Sequence, residues 1–579
     1  MRKQTFYVAL NGSDLNSGGE ISPFRTIQKA ADLMHPGDTC IIRGGVYREW
    51  VQPSRGGISE TEPITYKAAC GEEVIVKGSE PITEWTHLEG SVWRVELADS
   101  FFGDFNPFKT NVSGGWLLFG HQHHLGEVYL NGESYCEKFS MPELFEEPQT
   151  WYTESTTAST IIYANFDESN PNLELTEINV RECIFFPREK GLRYITIDGL
   201  SFVHAAANWV NFTDFQHAAV GTYYGRNWII ENCHISDAKC AGLVCGNPPS
   251  HYNEGFDLEE TGHHIVRNNW IRRCGEAGIH GYKGWVASLI EGNLIEDINV
   301  RKQFGGYESG GMKLHHAVDV VVRNNIVRRV HAGMGGQYVG IWIDWGAQGA
   351  RVTGNIVYDI GDYTGWAFFI QNSHNAPALI DNNIFVGQVL NTASNSVFVH
   401  NLFVDSRWSF SVENMDPIYY KPHSAEVVEI LLMTHLENDI YYNNIFIKKG
   451  TDQLPNAKGY KVDRNVYYEG ARKGYFGEEN SIVEENFNPS FEIKTLPDGV
   501  DIQIQLTEAL THVKCPLITH DFVGVYPLTG QGLEDHLGNP IQVDTDMFGN
   551  KRDETNPVAG PFENVKRGRN TFTLRVSSI

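Results

Sequence analysis

Asparagine returns at one place in a long run of short apolar segments, and this repetition constrains the fold more than any other feature of the sequence. WIIENCHI (228–235), HIVRNNWI (264–271), VVVRNNIV (320–327) and ALIDNNIF (378–385) share the form apolar-x-x-Asn-apolar or a close relative. The recurring positions are Asn232, Asn269, Asn293, Asn325, Asn355, Asn383, Asn401, Asn444 and Asn465. Most intervals run from 21 to 37 residues, with one of 18 and one of 43. Three short strands joined by turns need about this length per coil, and loop insertions produce uneven gaps. Asn suits the corner because it tolerates a left-handed backbone and its amide can bond to the next coil. The expected fold class is all-β: a right-handed parallel β-helix. An ordinary sandwich with Asn-rich turns leaves nine recurrences of one corner residue unexplained.

Residues 1–85 read as an N-terminal cap and the first coils. Ser22 and Pro23 are placed to open a helix with Ile27, Ala30, Ala31 and Leu33 at helical spacing; Pro36 and Gly37 stop it before a strand at Thr39. Residues 86–184 lack the Asn corner and carry SVWRVEL, GGWLLF, LGEVYLNG and STIIYANF, which reads as an inserted β-sandwich-like region. Residues 185–485 resume as the main β-helix with the active site, and 486–579 form a C-terminal tail expected to pack on its outside.

Charge narrows the partners. With 46 basic against 72 acidic side chains the formal charge is -26, the wrong sign for nucleic acid. No apolar run approaches a membrane span, and MRKQTFYVALNGSD has no apolar segment long enough for a signal peptide, so the default expectation is a cytoplasmic chain without membrane association. Nine scattered cysteines do not read as a disulfide scaffold. Cys233, Cys240 and Cys245 do not fit a structural zinc spacing and are expected as buried thiols, so neither metal nor cofactor is assigned. A homo-oligomer is left open.

The stretch GIWIDWGAQG (340–349) places an acid between two tryptophans in a strand-like run. On a period of two, Trp342 and Asp344 face outward, while Ile341, Ile343 and Trp345 face the core. In the preceding coil, GGMKLHHAVDV, Met312 and Leu314 face inward and Lys313 and His315 outward; in the following one, GWAFFIQNSHNAP, Phe369 and Gln371 face outward. His315 to Asp344 is 29 residues and Asp344 to Gln371 is 27, each one coil. Lys313–Trp342–Phe369 and His315–Asp344–Gln371 therefore form two adjacent rows on neighbouring strands about 4.8 Å apart. Retaining glycosidases hold two carboxyl groups about 5–5.5 Å apart, a separation neighbouring coils nearly supply. Asp344 fits the nucleophile position, but its partner position holds Gln371, an amide that neither donates nor accepts a proton as an acid or base.

The sequence resembles the glycoside hydrolase family 120 β-xylosidases over most of its length. The likeness lies in FYVALNGSD, SPFRTIQKAAD, FFGDFNPF, HLGEVYLNG, FVHAAANW, GMKLHHAVDV, SHNAPALIDNN and, most specifically, IWIDWGAQG. It implies a β-helix with a β-sandwich region that removes xylose from β-xylosides with retention. It also implies Asp344 as nucleophile, with Lys313, His315, Trp342, Trp345 and Gln348 on matching positions and His204 and Trp209 in a matching loop. Gln371 falls where the family has its acid/base Glu. Glu308, which matches a Glu of the family pattern, and Glu413 are the alternative acids or sugar ligands.

The expected function is retaining, exo-acting hydrolysis of β-linked xylose or a related sugar from short β-xylo-oligosaccharides, with the acid/base role impaired or reassigned. Two alternatives stand beside it: a β-helix polysaccharide lyase or epimerase, and a non-catalytic carbohydrate-binding β-helix.

Overall fold

The computed structural model describes residues 3–211, 215–246, 257–371, 376–411, 420, 423, 436–527 and 529–576. Three long sheets wind along one axis as a right-handed parallel β-helix. The first has 13 strands, from Thr5–Val8 to Lys461–Asp463, and the second also has 13, from Gly45–Tyr47 to Ile482–Glu484. The third runs through eight parallel strands from Val220–Gly221 to Trp408–Phe410. Each strand pairs in parallel with its counterpart one coil on, as in Val321↔Arg351 and Ile326↔Ile356. The lumen is apolar: Ile197, Ile230, Val266, Ile290, Val322 and Val352 are inside it. Toward the C-terminal end aromatic rings take over, with Phe398 stacked on Tyr441 at 5.0 Å and Phe403 on Phe446 at 5.2 Å.

The corner is built by two residues, where the sequence suggested one. Asn269, Asn293, Asn325, Asn355, Asn383, Asn401, Asn444 and Asn465 form a continuous buried ladder, each Nδ2 donating to the Oδ1 of the next at 2.9–3.1 Å. The left-handed backbone belongs to the residue before each: Asn268, Gly292, Asn324, Gly354, Asn382, His400, Asn443 and Arg464 have φ from +54° to +67°. Asn232 is one of these left-handed residues (φ +55°), and Cys233 takes the ladder position, its N–H donating to Asn269 Oδ1 at 2.9 Å. Ser481 closes the far end by accepting from the Asn465 N–H. All nine cysteines are free thiols.

The N-terminal helix spans Ile27–Leu33 and is capped by Thr26, whose side chain accepts from the Lys29 N–H; Ser22 and Pro23 lie in the turn before it. Ile27, Ala30 and Ala31 are buried on the first coil, whereas Leu33 is 39% exposed. Between Ser79 and Asn179 a four-stranded and a five-stranded sheet face each other across Trp85, Val128, Trp151 and Ile162. GGWLLF does not join them. Leu117–Leu118 reaches over to pair antiparallel with Gly305–Gly306, at the start of the long third-sheet strand Gly305–His315. Buried ion pairs fasten the inserted region to the coil: Lys239 to Glu127, and Lys77 and Arg48 to Glu177 at 2.7 Å. A three-stranded antiparallel sheet, Glu492–Leu496, Gly499–Leu506 and Gly568–Arg575, lays Val500, Ile502 and Ile504 on the outer face of the second sheet. Among the described residues no helix is long and apolar enough to cross a membrane.

Candidate active site

Three successive strands of the third sheet, Gly305–His315, Gly336–Ile343 and Trp366–Gln371, carry the outward rows. Lys313 lies opposite Trp342 and Trp342 opposite Phe369, while Met312, Ile341 and Phe368 face the lumen. The pairs Leu314↔Ile343 and Ile343↔Ile370 bring His315, Asp344 and Gln371 into the next row. The Asp344 N–H donates to Leu314 O at 2.9 Å, so the ladder continues one residue past the strand end. Apart from Phe369, these rows form the floor of a cavity of about 300 Å³. Trp345 and Glu308 join them, and the exposed Trp116 and Tyr307 with Gln337 form its mouth.

Every oxygen of Asp344 is held. Oδ1 accepts from the Trp345 N–H at 2.7 Å; Oδ2 lies 3.1 Å from Lys313 Nζ and 3.5 Å from His315 Nε2. Lys313 also pairs with Glu308, which takes a second contact from His280 Nε2 at 3.1 Å. Burial works against the Lys313 ammonium, but Asp344 and Glu308 outweigh it and hold its pKa above the ordinary lysine value. Its Nζ sits 4.0 Å from the Trp342 ring centroid, which places a cation against the indole face. Burial, followed by the Lys313 charge, pushes His315 well below the usual imidazole range, so it is neutral at pH 7. The site thus holds one cation between two carboxylates, with neutral imidazoles behind them. Such an arrangement fixes a carboxylate rigidly and leaves it facing an aromatic-walled cavity.

Two family models match the chain: "Glycoside hydrolase 120, insertion domain" over residues 82–149, and "Right handed beta helix region" over 219–404. A solved structure of XylC in complex with xylose is 32% identical, superposes with a TM-score of 0.90, and covers 98% of this chain and 100% of that one. The chain belongs to glycoside hydrolase family 120. Pectate lyase Pel9A is 12% identical with a TM-score of 0.43, covering 98% of this chain and 97% of that one. The uncharacterized protein YwoF of Bacillus subtilis is 38% identical over 72 residues, and the match spans only 12% of this chain and 15% of that protein.

Not every residue singled out in the family 120 sequence reaches the cavity. Asp344, Lys313, His315, Trp342, Trp345, Gln371 and Glu308 line it. Phe369 lies beneath Trp342, stacked at 4.9 Å, and backs the indole without touching the cavity. Gln348 clamps the Tyr420 backbone, donating to its O at 2.9 Å and accepting from its N–H at 2.8 Å. His204 is buried at the junction with the inserted region, stacked on Tyr129 at 3.7 Å with Nδ1 2.8 Å from Ser79 Oγ; burial lowers its pKa to about 4. Trp209 is buried against Val112, Leu125 and Phe304. A Cβ on Gly114 or Gly306 would lie within 2.8 Å of its ring, so Trp209 props the segment bearing Trp116. Glu413 lies outside the described residues.

Trp345 departs from the alternation. Strand geometry ends at Ile343, Gly346 turns with φ +74°, and the Trp345 ring packs edge-on to His315 and His316 at the cavity wall. Sequence reasoning missed Trp116, Tyr307, Gln337, His280 and His316. His280 was legible in principle, since it falls opposite Lys313 one coil earlier. It also missed Glu276, whose fully buried carboxyl accepts from the Val210 N–H at 2.9 Å and is pushed well above the carboxylate range by burial. Trp116 carried no signal, because only the folded insertion brings it to the cavity.

Proposed function

We propose that this family 120 chain is a retaining, exo-acting glycosidase for β-linked xylose or a close relative, with Asp344 as nucleophile and no proton-transfer group at Gln371. The observation that carries the reading is the Asp344 carboxylate, held on both oxygens and presented to a cavity flanked by Trp342 and Trp345. In the first step an Asp344 oxygen bonds to the anomeric carbon as the bond to the leaving oxygen breaks. In the second, water attacks the same carbon, the ester to Asp344 breaks and a proton is released. Lys313 and His315 hold Asp344 in line, Trp342 offers its face to the pyranose, and Trp116 with Tyr307 offers a surface to the aglycone. Xylose is the first substrate to test because the 32%-identical XylC was solved with it.

Gln371 sets which substrates react. Its Oε1 accepts from Trp342 Nε1–H at 3.1 Å, and an amide cannot protonate a departing alcohol. Glu308 is an unsuitable substitute, being committed to Lys313 and His280. An aryl xyloside with an acidic phenol loses it as the phenolate without protonation, and its anomeric carbon forms the Asp344 adduct; xylobiose, with its poor leaving alcohol, reacts slowly. Labelling with a 2-fluoro aryl xyloside followed by peptide mass mapping tests this, and label on any residue other than Asp344 overturns the nucleophile assignment.

One observation favours a second reading, non-catalytic sugar binding: the Gln371–Trp342 hydrogen bond leaves the site with a fixed amide where a proton donor is needed. Tight xylobiose binding without turnover of an activated aryl xyloside would establish it.

A further inference from the structure

His316 follows His315 in sequence and plays no part in the chemistry described so far. Its Nδ1 lies 2.7 Å from His315 Nδ1, with the two rings stacked at 4.8 Å and 20°. Two nitrogens at that distance require one to carry a hydrogen and the other a lone pair. Burial lowers both rings well below the usual imidazole range, with the Lys313 charge acting next on His315 and His315 itself next on His316, so both are neutral at pH 7. Each therefore carries one hydrogen, and only two assignments exist. If His315 donates from Nδ1, its Nε2 lone pair faces Asp344 Oδ2 at 3.5 Å, and His316 must keep its hydrogen on Nε2. That nitrogen is buried without a hydrogen-bond partner among the described residues. This arrangement combines a lone pair against a carboxylate with an orphaned buried donor, each costly. In the opposite assignment His316 Nδ1–H donates to His315 Nδ1, and His315 carries its hydrogen on the Nε2 that lies 3.5 Å from Asp344 Oδ2. The partnerless His316 Nε2 then holds only a lone pair.

We propose that His316 is a positioning residue that locks His315 in its Nε2–H tautomer, so that Asp344 faces a donor and not a lone pair. The surroundings hold His316 in place. Its backbone N–H donates to Trp345 O at 3.0 Å, its ring packs edge-on to Tyr282 at 5.2 Å and to Trp345 at 4.8 Å, and a Cβ on Gly346 would lie 2.8 Å from the imidazole. The glycine of IWIDWGAQG thus has a second reason to be glycine, beyond its φ of +74°. A Trp–Gly pair in one coil shapes the slot that seats the histidine of the coil before.

Side-chain nitrogen NMR of the full chain labelled with 15N-histidine, assigned with His315 and His316 variants, reads the tautomers directly. The expected result is His316 as the less common Nδ1–H form and His315 as Nε2–H, both neutral at pH 7. An Nε2–H His316, or an imidazolium at either position, overturns the proposal. The kinetic consequence rests on the glycosidase reading. His316→Ala should slow formation of the Asp344 adduct from an activated aryl xyloside by about 10–100-fold, the usual cost of losing an outer orienting partner, with little change in KM. His316→Asn, whose amide N–H stands near the lost Nδ1–H, should recover most of that rate. Equal rates in the Ala variant and the unsubstituted protein overturn the positioning role. If no xyloside reacts with the unsubstituted protein, the glycosidase reading fails while the tautomer measurement still decides this one.

Discussion

Two stacks of buried polar side chains run along the same coils, and they behave in opposite ways. The asparagine ladder repeats one residue on eight coils, and each amide is both donor and acceptor to its neighbours. It is neutral, self-complementary and sealed. The His315–Asp344–Gln371 stack, with Lys313 beside it, uses a different residue at each position, carries charge, and opens on a cavity. A ladder of identical amides satisfies itself whatever its length. A stack of unlike groups is satisfied only in one arrangement and leaves capacity for a ligand. Disturbing the first should therefore cost stability, and disturbing the second should cost chemistry.

Asp344→Asn gives the sharpest contrast. Loss of the proposed nucleophile should reduce turnover of an activated aryl xyloside by at least ~10⁴-fold, about 5 kcal/mol of barrier, while the thermal midpoint stays level or rises. A large drop in the midpoint would mean that Asp344 belongs with the structural stack. Gln371→Glu tests the same stack in the direction of gain. Trp342 Nε1–H can bond a carboxylate as well as an amide, so xylobiose hydrolysis should rise by about 10²–10⁴-fold. No change in the rate would show that another group transfers the proton.

Asp439 provides a third polar case, a buried carboxyl with no cation pairing it among the described residues. Burial, against hydrogen bonds from Ser396 N–H and Asn391 Nδ2 at 2.9 Å, raises its pKa to about 7. The native state therefore keeps a proton that the unfolded chain gives up near pH 4. The contribution is fully present below pH 4 and is lost as pH rises toward 7, by up to roughly 4 kcal/mol. Denaturant titrations at pH 5 and pH 8 should show this decline, and Asp439→Asn should flatten it.

Asn325→Ala interrupts the ladder mid-way. It leaves the Asn293 N–H without its acceptor and takes one of the donors from the Ile290 carbonyl, at a cost of about 1–3 kcal/mol, with turnover per folded molecule unchanged. A matching loss of activity would show that the corner and the cavity are coupled. The smallest effect is expected at the mouth. Trp116 is 54% exposed and meets Tyr307 edge-on at 5.9 Å. Trp116→Ala should raise KM for xylobiose about 5-fold, roughly 1 kcal/mol of ring contact, and leave reaction of a small aryl xyloside nearly untouched.

The two stacks also differed in how far they could be read before folding. The ladder was visible because its period repeats, yet the division of labour was not. Asn232 matches the pattern as well as Asn269 does, and only in the folded chain does the first bend the backbone while the second bonds along the stack. The outward row followed from a period of two and one coil of offset, which placed Lys313, His315, Asp344 and Gln371 together. The same rule misplaced Trp345, because a period of two holds only while the strand continues, and this strand ends at Ile343. His204, Trp209 and Gln348 came from likeness to the family, and they are found at the supports around the site.

Local repetition thus determined the parallel coil, its apolar lumen and the face bearing the charged row, since neighbouring coils repeat the same short-range rules at 4.8 Å spacing. What only the tertiary structure decided were contacts between segments that no period relates. Leu117–Leu118 pairs with Gly305–Gly306 and delivers Trp116 to the cavity; Trp345 and Gly346 seat His316 one coil back; Tyr420 is clamped by Gln348. Each depends on where a loop crosses a finished sheet, and a loop's path is set by the surface it meets, which does not exist until the coil has formed.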